Sequence, residues 1–214
     1  YYNRALEIAK KLDDKNGISN CLNGLGSVYE EKSNSKKGMT YFMSAFKVSK
    51  QLGDELGMSY RYFSIGRAYM MAGDIDKSLD YYNRSKKIFE KFEEKPRIAA
   101  TFNNIGLSYW FRGEYDKSLN YFSKYEKIAK DLGNKKDILL ALCNIGTSYL
   151  YKGNIKKAEE YLEDSLALQK EIKIQIYKLF SITHLQLAKK FLNKEIDVKE
   201  INSAIQETEY SSYT

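Results

Sequence analysis

A single proline, two cysteines, one histidine and one tryptophan occur in 214 residues, and each scarcity closes off a class of protein. With Pro96 alone, long helices meet almost no fixed breaks, so turns must depend on Gly, Asn and Asp. Cys21 and Cys143 lie far apart without a CxxC spacing, which argues against a disulfide framework and predicts free, mostly buried thiols. His184 has no Ser, Cys or carboxylate near it at a nucleophile or metal-ligand spacing, so it reads as a surface or packing residue. No catalytic residue, metal site or cofactor is expected, and the chain is read as not an enzyme. Also lacking are a run of about 18 apolar residues and a basic stretch followed by an apolar signal segment. These absences predict a soluble, cytoplasmic, all-helical protein.

Repetition is what the chain has in abundance. Leu25-Gly26, Ile65-Gly66, Ile105-Gly106 and Ile145-Gly146 recur every 40 residues, as do Tyr29, Tyr69, Tyr109 and Tyr149. Tyr1, Tyr41, Tyr81, Tyr121 and Tyr161 keep the same step, each followed by a bulky residue, and so do Gly73, Gly113 and Gly153. Phe102, Ile105 and Tyr109 share one helix face, while Leu119, Phe122 and Ile128 share another, so each unit is a pair of amphipathic helices. Gly113 and the Leu132-Gly133-Asn134 stretch close the two helices where a left-handed residue is wanted. Gly66, Gly106 and Gly146 sit inside helix patterns, where they allow close approach of the paired helix.

These residues resemble the tetratricopeptide repeat, with Phe102, Ile105-Gly106, Tyr109, Ser118, Phe122 and Tyr125 in the places of its signature. The repeat is 40 residues long instead of about 34, a variant similar to the repeats of kinesin light chains, spindle-orientation adaptors and bacterial peptide-sensing regulators. The resemblance implies an all-α fold, a right-handed α-solenoid of antiparallel helix pairs. Residues 1–16 form the second helix of a truncated repeat, 17–56, 57–96, 97–136 and 137–175 are repeats, and 176–214 are a degenerate repeat, cap and tail. Because Tyr1 matches mid-repeat, an excised piece of a longer protein is expected. One more helix is expected in the tail from Ile196 to Thr214.

In this family the first helices line the concave surface, and helical spacing places on it Asn20, Asn23, Gly24, Ser27, Glu30 and Glu31 of the first full unit. The next units contribute Tyr60, Phe63, Ser64, Arg67, Met70 and Met71, then Asn103, Asn104, Leu107, Trp110 and Phe111, then Cys143, Asn144, Thr147, Leu150 and Tyr151. Large apolar groups concentrate in the middle, as partner surfaces do. An amide can grip peptide backbone whatever its sequence, and the resemblance assigns that part to Asn23, Asn104 and Asn144. The expected function is capture of a peptide or amphipathic helix, anchored by Tyr60, Met70, Trp110 and Tyr151, within a larger signalling or regulatory protein. Packing between units accounts equally well for any one of the aromatics, and the groove could also hold the protein's own C-terminal or missing segments. An alternative reading is the ligand-sensing region of a bacterial transcription or response regulator. The net charge of +7 is spread over second-helix lysines such as Lys36, Lys87 and Lys156 with acids between them, so neither nucleic acid nor membrane is expected as a partner.

Overall fold

The computed structural model describes residues 1–173, 178–192, 194 and 203. The expected tail helix lies outside the described residues, residue 203 apart. Among the described residues the chain is helical throughout: α1 (Tyr2–Lys11), α2 (Lys15–Glu31), α3 (Ser35–Gln51), α4 (Glu55–Met71), α5 (Ile75–Lys91), α6 (Lys95–Phe111), α7 (Tyr115–Asp131), α8 (Lys135–Lys152), α9 (Ile155–Ile172) and α10 (Lys178–Phe191). None of these helices is long and apolar enough to cross a membrane.

The helices are cut by a rule with a period of 20 residues, half the sequence repeat. Positive φ falls at Asp13, Ser33, Gly53, Gly73, Glu93, Gly113, Gly133, Gly153 and Lys173, each 20 residues after the last. The following residue works in both directions. Its N–H returns to the previous helix, as in Asp54 to the Ser49 carbonyl at 3.1 Å and Asp74 to the Tyr69 carbonyl at 3.0 Å. Its side chain then caps the next helix: Asp14, Asn34, Asp54, Asp74 and Asn154 each accept from the N–H three residues on, at 2.8 to 3.3 Å. A connection this short turns each helix back along its predecessor.

Two compact units divide the chain, Tyr1–Arg112 and Gly113–Thr214. In the first, each of α1 to α6 packs on the next, and α2, α4 and α6 also touch one another in order. In the second, α7 to α10 pack in sequence and α8 touches α10.

The recurrent residues are spent on this packing. A Cβ on Gly26 would stand 2.5 Å from the Phe42 ring, one on Gly66 2.9 Å from Tyr82, and one on Gly146 2.8 Å from Leu162. Each glycine therefore admits the fully buried side chain of the helix that follows. Tyr29 stacks on Tyr41 at 5.3 Å, Tyr69 on Tyr81 at 5.5 Å and Tyr149 on Tyr161 at 5.7 Å. Lys37, Lys77 and Lys157 lie over the Tyr29, Tyr69 and Tyr149 rings. The seams between a second helix and the following first helix carry a facing pair of small residues. Ser78 meets Ser108 at 2.9 Å and Ser118 meets Ser148 at 3.3 Å, while Ala158 and Ala188, at the same places, share one core cluster.

Candidate functional site

Packing on the helices before and after leaves one face of each first helix, and the spacing argument is tested there side chain by side chain. In the first unit Asn23 lies on α2, Tyr60, Phe63, Arg67 and Met70 on α4, and Asn103, Asn104, Trp110 and Phe111 on α6. Phe111 is exposed and the others are half-buried. Asn144, half-buried, and Tyr151, exposed, stand on α8 of the second unit. Ser64, Cys143, Thr147 and Leu150, counted onto the face by spacing, are buried instead. The reason is geometric: steps of three and four residues drift around the helix, and these positions turn into the seams. Gly24 is covered as well, since a Cβ there would stand 2.3 Å from the Tyr2 ring of α1. Gly24 to Ser27 lie within α2, as expected for a sequence that only superficially resembles a phosphate loop. The thiol of Cys143 sits 3.1 Å from the Ser181 hydroxyl, and burial raises its pKa. His184 rests on the Phe180 ring with Nδ1 2.8 Å from the Phe180 carbonyl oxygen.

The three asparagines marked for peptide backbone differ. Asn104 spends its amide inside the protein: Nδ2 donates to the Ala100 carbonyl at 2.8 Å, and Oδ1 accepts from the Tyr82 hydroxyl at 3.3 Å. Asn23 keeps a buried Oδ1 with no hydrogen-bond partner. Asn144 stands at the same register one helix-pair series later, in the other unit.

Arginine organises the rest of the polar face in the first unit. Arg67 donates to Ser27 at 3.2 Å and to Glu30 Oε2 at 2.7 Å. Burial raises the Glu30 pKa despite the opposing charge and hydrogen bond of Arg67. Arg61, which sequence reasoning passed over, is buried, and its guanidinium donates to Ser19 at 3.1 Å and to the Asn20 side chain. Ser19 in turn donates to the Ala45 carbonyl at 2.9 Å and meets Ser49. Desolvation lowers the Arg61 pKa, against the field of Asp54. A signal for it was present: the same column of the repeat holds Cys21, Thr101, Ala141 and Ser181, so Arg61 is its one charged member.

The aromatics divide between packing and display. Tyr60 meets Phe89 edge-on at 5.1 Å beneath the Arg97 guanidinium, and Phe63 meets Tyr82 at 5.6 Å. Both are anchored in the α4–α5 seam. Trp110 and Phe111 meet at 82° on the last turn of α6, and Phe111 is 60% exposed. Met71, at the same register of neighbouring α4, is 71% exposed.

The family model described as tetratricopeptide repeat matches residues 58–131 and 97–171. A comparison with curated proteins returns no match. Among solved structures, BtubC (BKLC) from P. vanneervenii is similar over 98% of this chain and 87% of its own, at 14% identity and a TM-score of 0.81. The nearly identical tetratricopeptide-like repeats of a Podosopora anserina putative kinesin light chain are similar over 90% of this chain and 95% of theirs, at 15% identity and a TM-score of 0.71. The Rap conjugation gene regulator of the plasmid pLS20, in complex with the Phr* peptide, is similar over 92% of this chain and 53% of its own, at 16% identity and a TM-score of 0.71. At these identities the likeness shows the fold alone, an α-solenoid of antiparallel helix pairs.

Proposed function

Since the chain belongs to the tetratricopeptide repeat family, we propose that it is a protein- or peptide-binding scaffold or sensor segment, part of a larger signalling or regulatory protein. The ligand is an extended peptide or amphipathic helix held against the free face of the first helices. One observation carries this reading: Met70 and Met71 on α4 and Trp110 and Phe111 on α6 display large apolar groups at one register of two neighbouring helices. Side chains of that kind lose water favourably on contact with a partner, and flexible methionine adapts to its shape. Asn23 on α2, with its unpaired carbonyl oxygen, offers an acceptor to peptide N–H. Asn103, Asn104, Asn144 and Tyr151 complete the proposed contact set, with Tyr60, Phe63 and Arg67 setting the shape of its floor.

A second reading, a ligand-sensing region that passes peptide binding to an attached effector domain of a bacterial regulator, draws on the Rap regulator bound to Phr*, of which this chain spans about half. The binding chemistry is common to both.

Selection of peptides from a displayed random library by the intact chain, followed by calorimetric titration of the strongest, tests the proposal. Met70→Ala with Phe111→Ala should weaken binding by about tenfold or more, roughly 1.4 kcal/mol, at unchanged helicity. Lys127→Ala, on an exposed stretch of α7, should leave affinity as it was. Equal losses from both variants, or none from either, would sink the groove reading.

A further inference from the structure

The last turn of the first helix follows a rule along the chain that the first full repeat breaks. Its final two residues are Met70-Met71, Trp110-Phe111 and Leu150-Tyr151, but Glu30-Glu31 in the first repeat. The Arg67 column is equally uneven, holding Ser27, Leu107 and Thr147. Repetition accounts for side chains that recur, so a charged pair built from two departures needs its own reason.

Glu30 and Arg67 meet in a recess of about 360 Å³ at the ends of α2 and α4, lined also by Ser27, Glu31, Ser33, Ser35 and Met71. The pairing is incomplete. Arg67 takes Glu30 Oε2, but Oε1 is buried with no hydrogen-bond partner. Leaving a buried acceptor unmade costs about 1–3 kcal/mol, and more when it is charged, so the arrangement wants a donor. The local charge agrees. Two carboxylates face one guanidinium, a net charge of −1 (two negative, one positive) in a chain whose formal net charge is +7. Exposed Met71 forms an apolar wall along which an alkyl stem can lie while its charged end reaches the carboxylates.

Resting on the groove reading above, we propose that this recess is a subsite for one basic side chain, lysine or arginine, of the bound peptide. The cationic end donates to Glu30 Oε1, its stem covers Met71, and Glu31 and the serine hydroxyls hold the rim. Arg67 positions Glu30 and tempers its charge, so that a donor is preferred but not held irreversibly.

The test uses positional scanning of peptides selected by the intact chain, each position replaced in turn by every residue. One position should favour Lys or Arg over Gln by about tenfold, the scale of one charge-assisted hydrogen bond. Glu30→Gln should reduce that preference to about twofold while leaving the other positions unchanged, and Arg67→Gln should enlarge it by releasing Glu30 Oε2. If Glu30→Gln does not fold, the enlarged preference in Arg67→Gln decides. Selected peptides without a basic preference, or a preference that neither variant moves, would overturn the subsite and leave the groove intact. Failure to select any peptide would overturn both.

Discussion

Ser78 and Ser108 face each other at 2.9 Å in the seam between α5 and α6, but they are not equivalent. Ser108 also donates to the Asn104 carbonyl at 3.0 Å, whereas Ser108 is the hydrogen-bond partner of the Ser78 side chain. Removing Ser108 therefore strands a buried hydroxyl, while removing Ser78 leaves Ser108 on its own helix. Ser108→Ala should cost about 1–3 kcal/mol, more than Ser78→Ala, and the double variant should cost less than the two losses added. Urea denaturation of the three proteins measures the cycle, and strict additivity would show that the pair contributes nothing as a pair. Glu30 offers a second residue-scale check, through pH. Its folded pKa is raised from 4.5, chiefly by desolvation, so the folded chain holds this proton more tightly than the unfolded chain. The contribution of the protonated form is full below the unfolded value and is lost as pH rises through the folded one. Between about pH 4 and pH 7 the native chain should lose stability relative to Glu30→Gln, seen as a diverging urea midpoint. A native chain that gains on the variant with rising pH would mean that Arg67 outweighs burial.

Among the helices, the junctions were the least legible feature in the sequence. Gly73, Gly113, Gly133 and Gly153 gave away some of the left-handed turns, but Asp13, Ser33, Glu93 and Lys173 hold the same conformation without glycine, and that hid the 20-residue step. A left-handed residue that is not glycine carries about 1–2 kcal/mol of steric cost, set against the extra chain entropy glycine brings to the unfolded state. Glu93→Gly should therefore stabilise by about 0.5–1 kcal/mol. The next residue, Glu94, is the N-cap of α6 and makes no side-chain capping bond, because its chain is one methylene longer than the aspartates and asparagines at most of the other junctions. Glu94→Asp should recover about 1 kcal/mol, and the two substitutions together should raise the midpoint by nearly the sum. Thermal melts of both single variants and the pair check this. An unchanged Glu94→Asp would show that Pro96, which occupies the first helical turn, already fixes the start of α6.

Taken as a whole, the molecule shows its architecture in sequence and conceals its site for one reason: the architecture repeats and the site does not. Gly26, Gly66 and Gly146 could be paired with the following helix from periodicity alone, and Phe42, Tyr82 and Leu162 are what they meet. The candidate face came through in outline, but spacing could not say that Asn104 would spend its amide on Tyr82, or that Glu30 would bury an oxygen beside Arg67. Those outcomes depend on contacts between different repeats, which no local pattern carries. The same nearest-neighbour construction makes stability local, since each helix meets chiefly the ones beside it in sequence. A bulky side chain at Gly26 should disturb its surroundings first, because a Cβ there already stands 2.5 Å from the fully buried Phe42 ring. Gly26→Val should cost about 1–3 kcal/mol by overpacking. Amide exchange should then speed up in α2 and α3, to a smaller degree in α1 and α4, and not measurably in α8 and α9. Uniform acceleration from α1 to α9 would show instead that the two compact units unfold as one cooperative body, so that a ligand tightened at α2 would be felt along the entire chain.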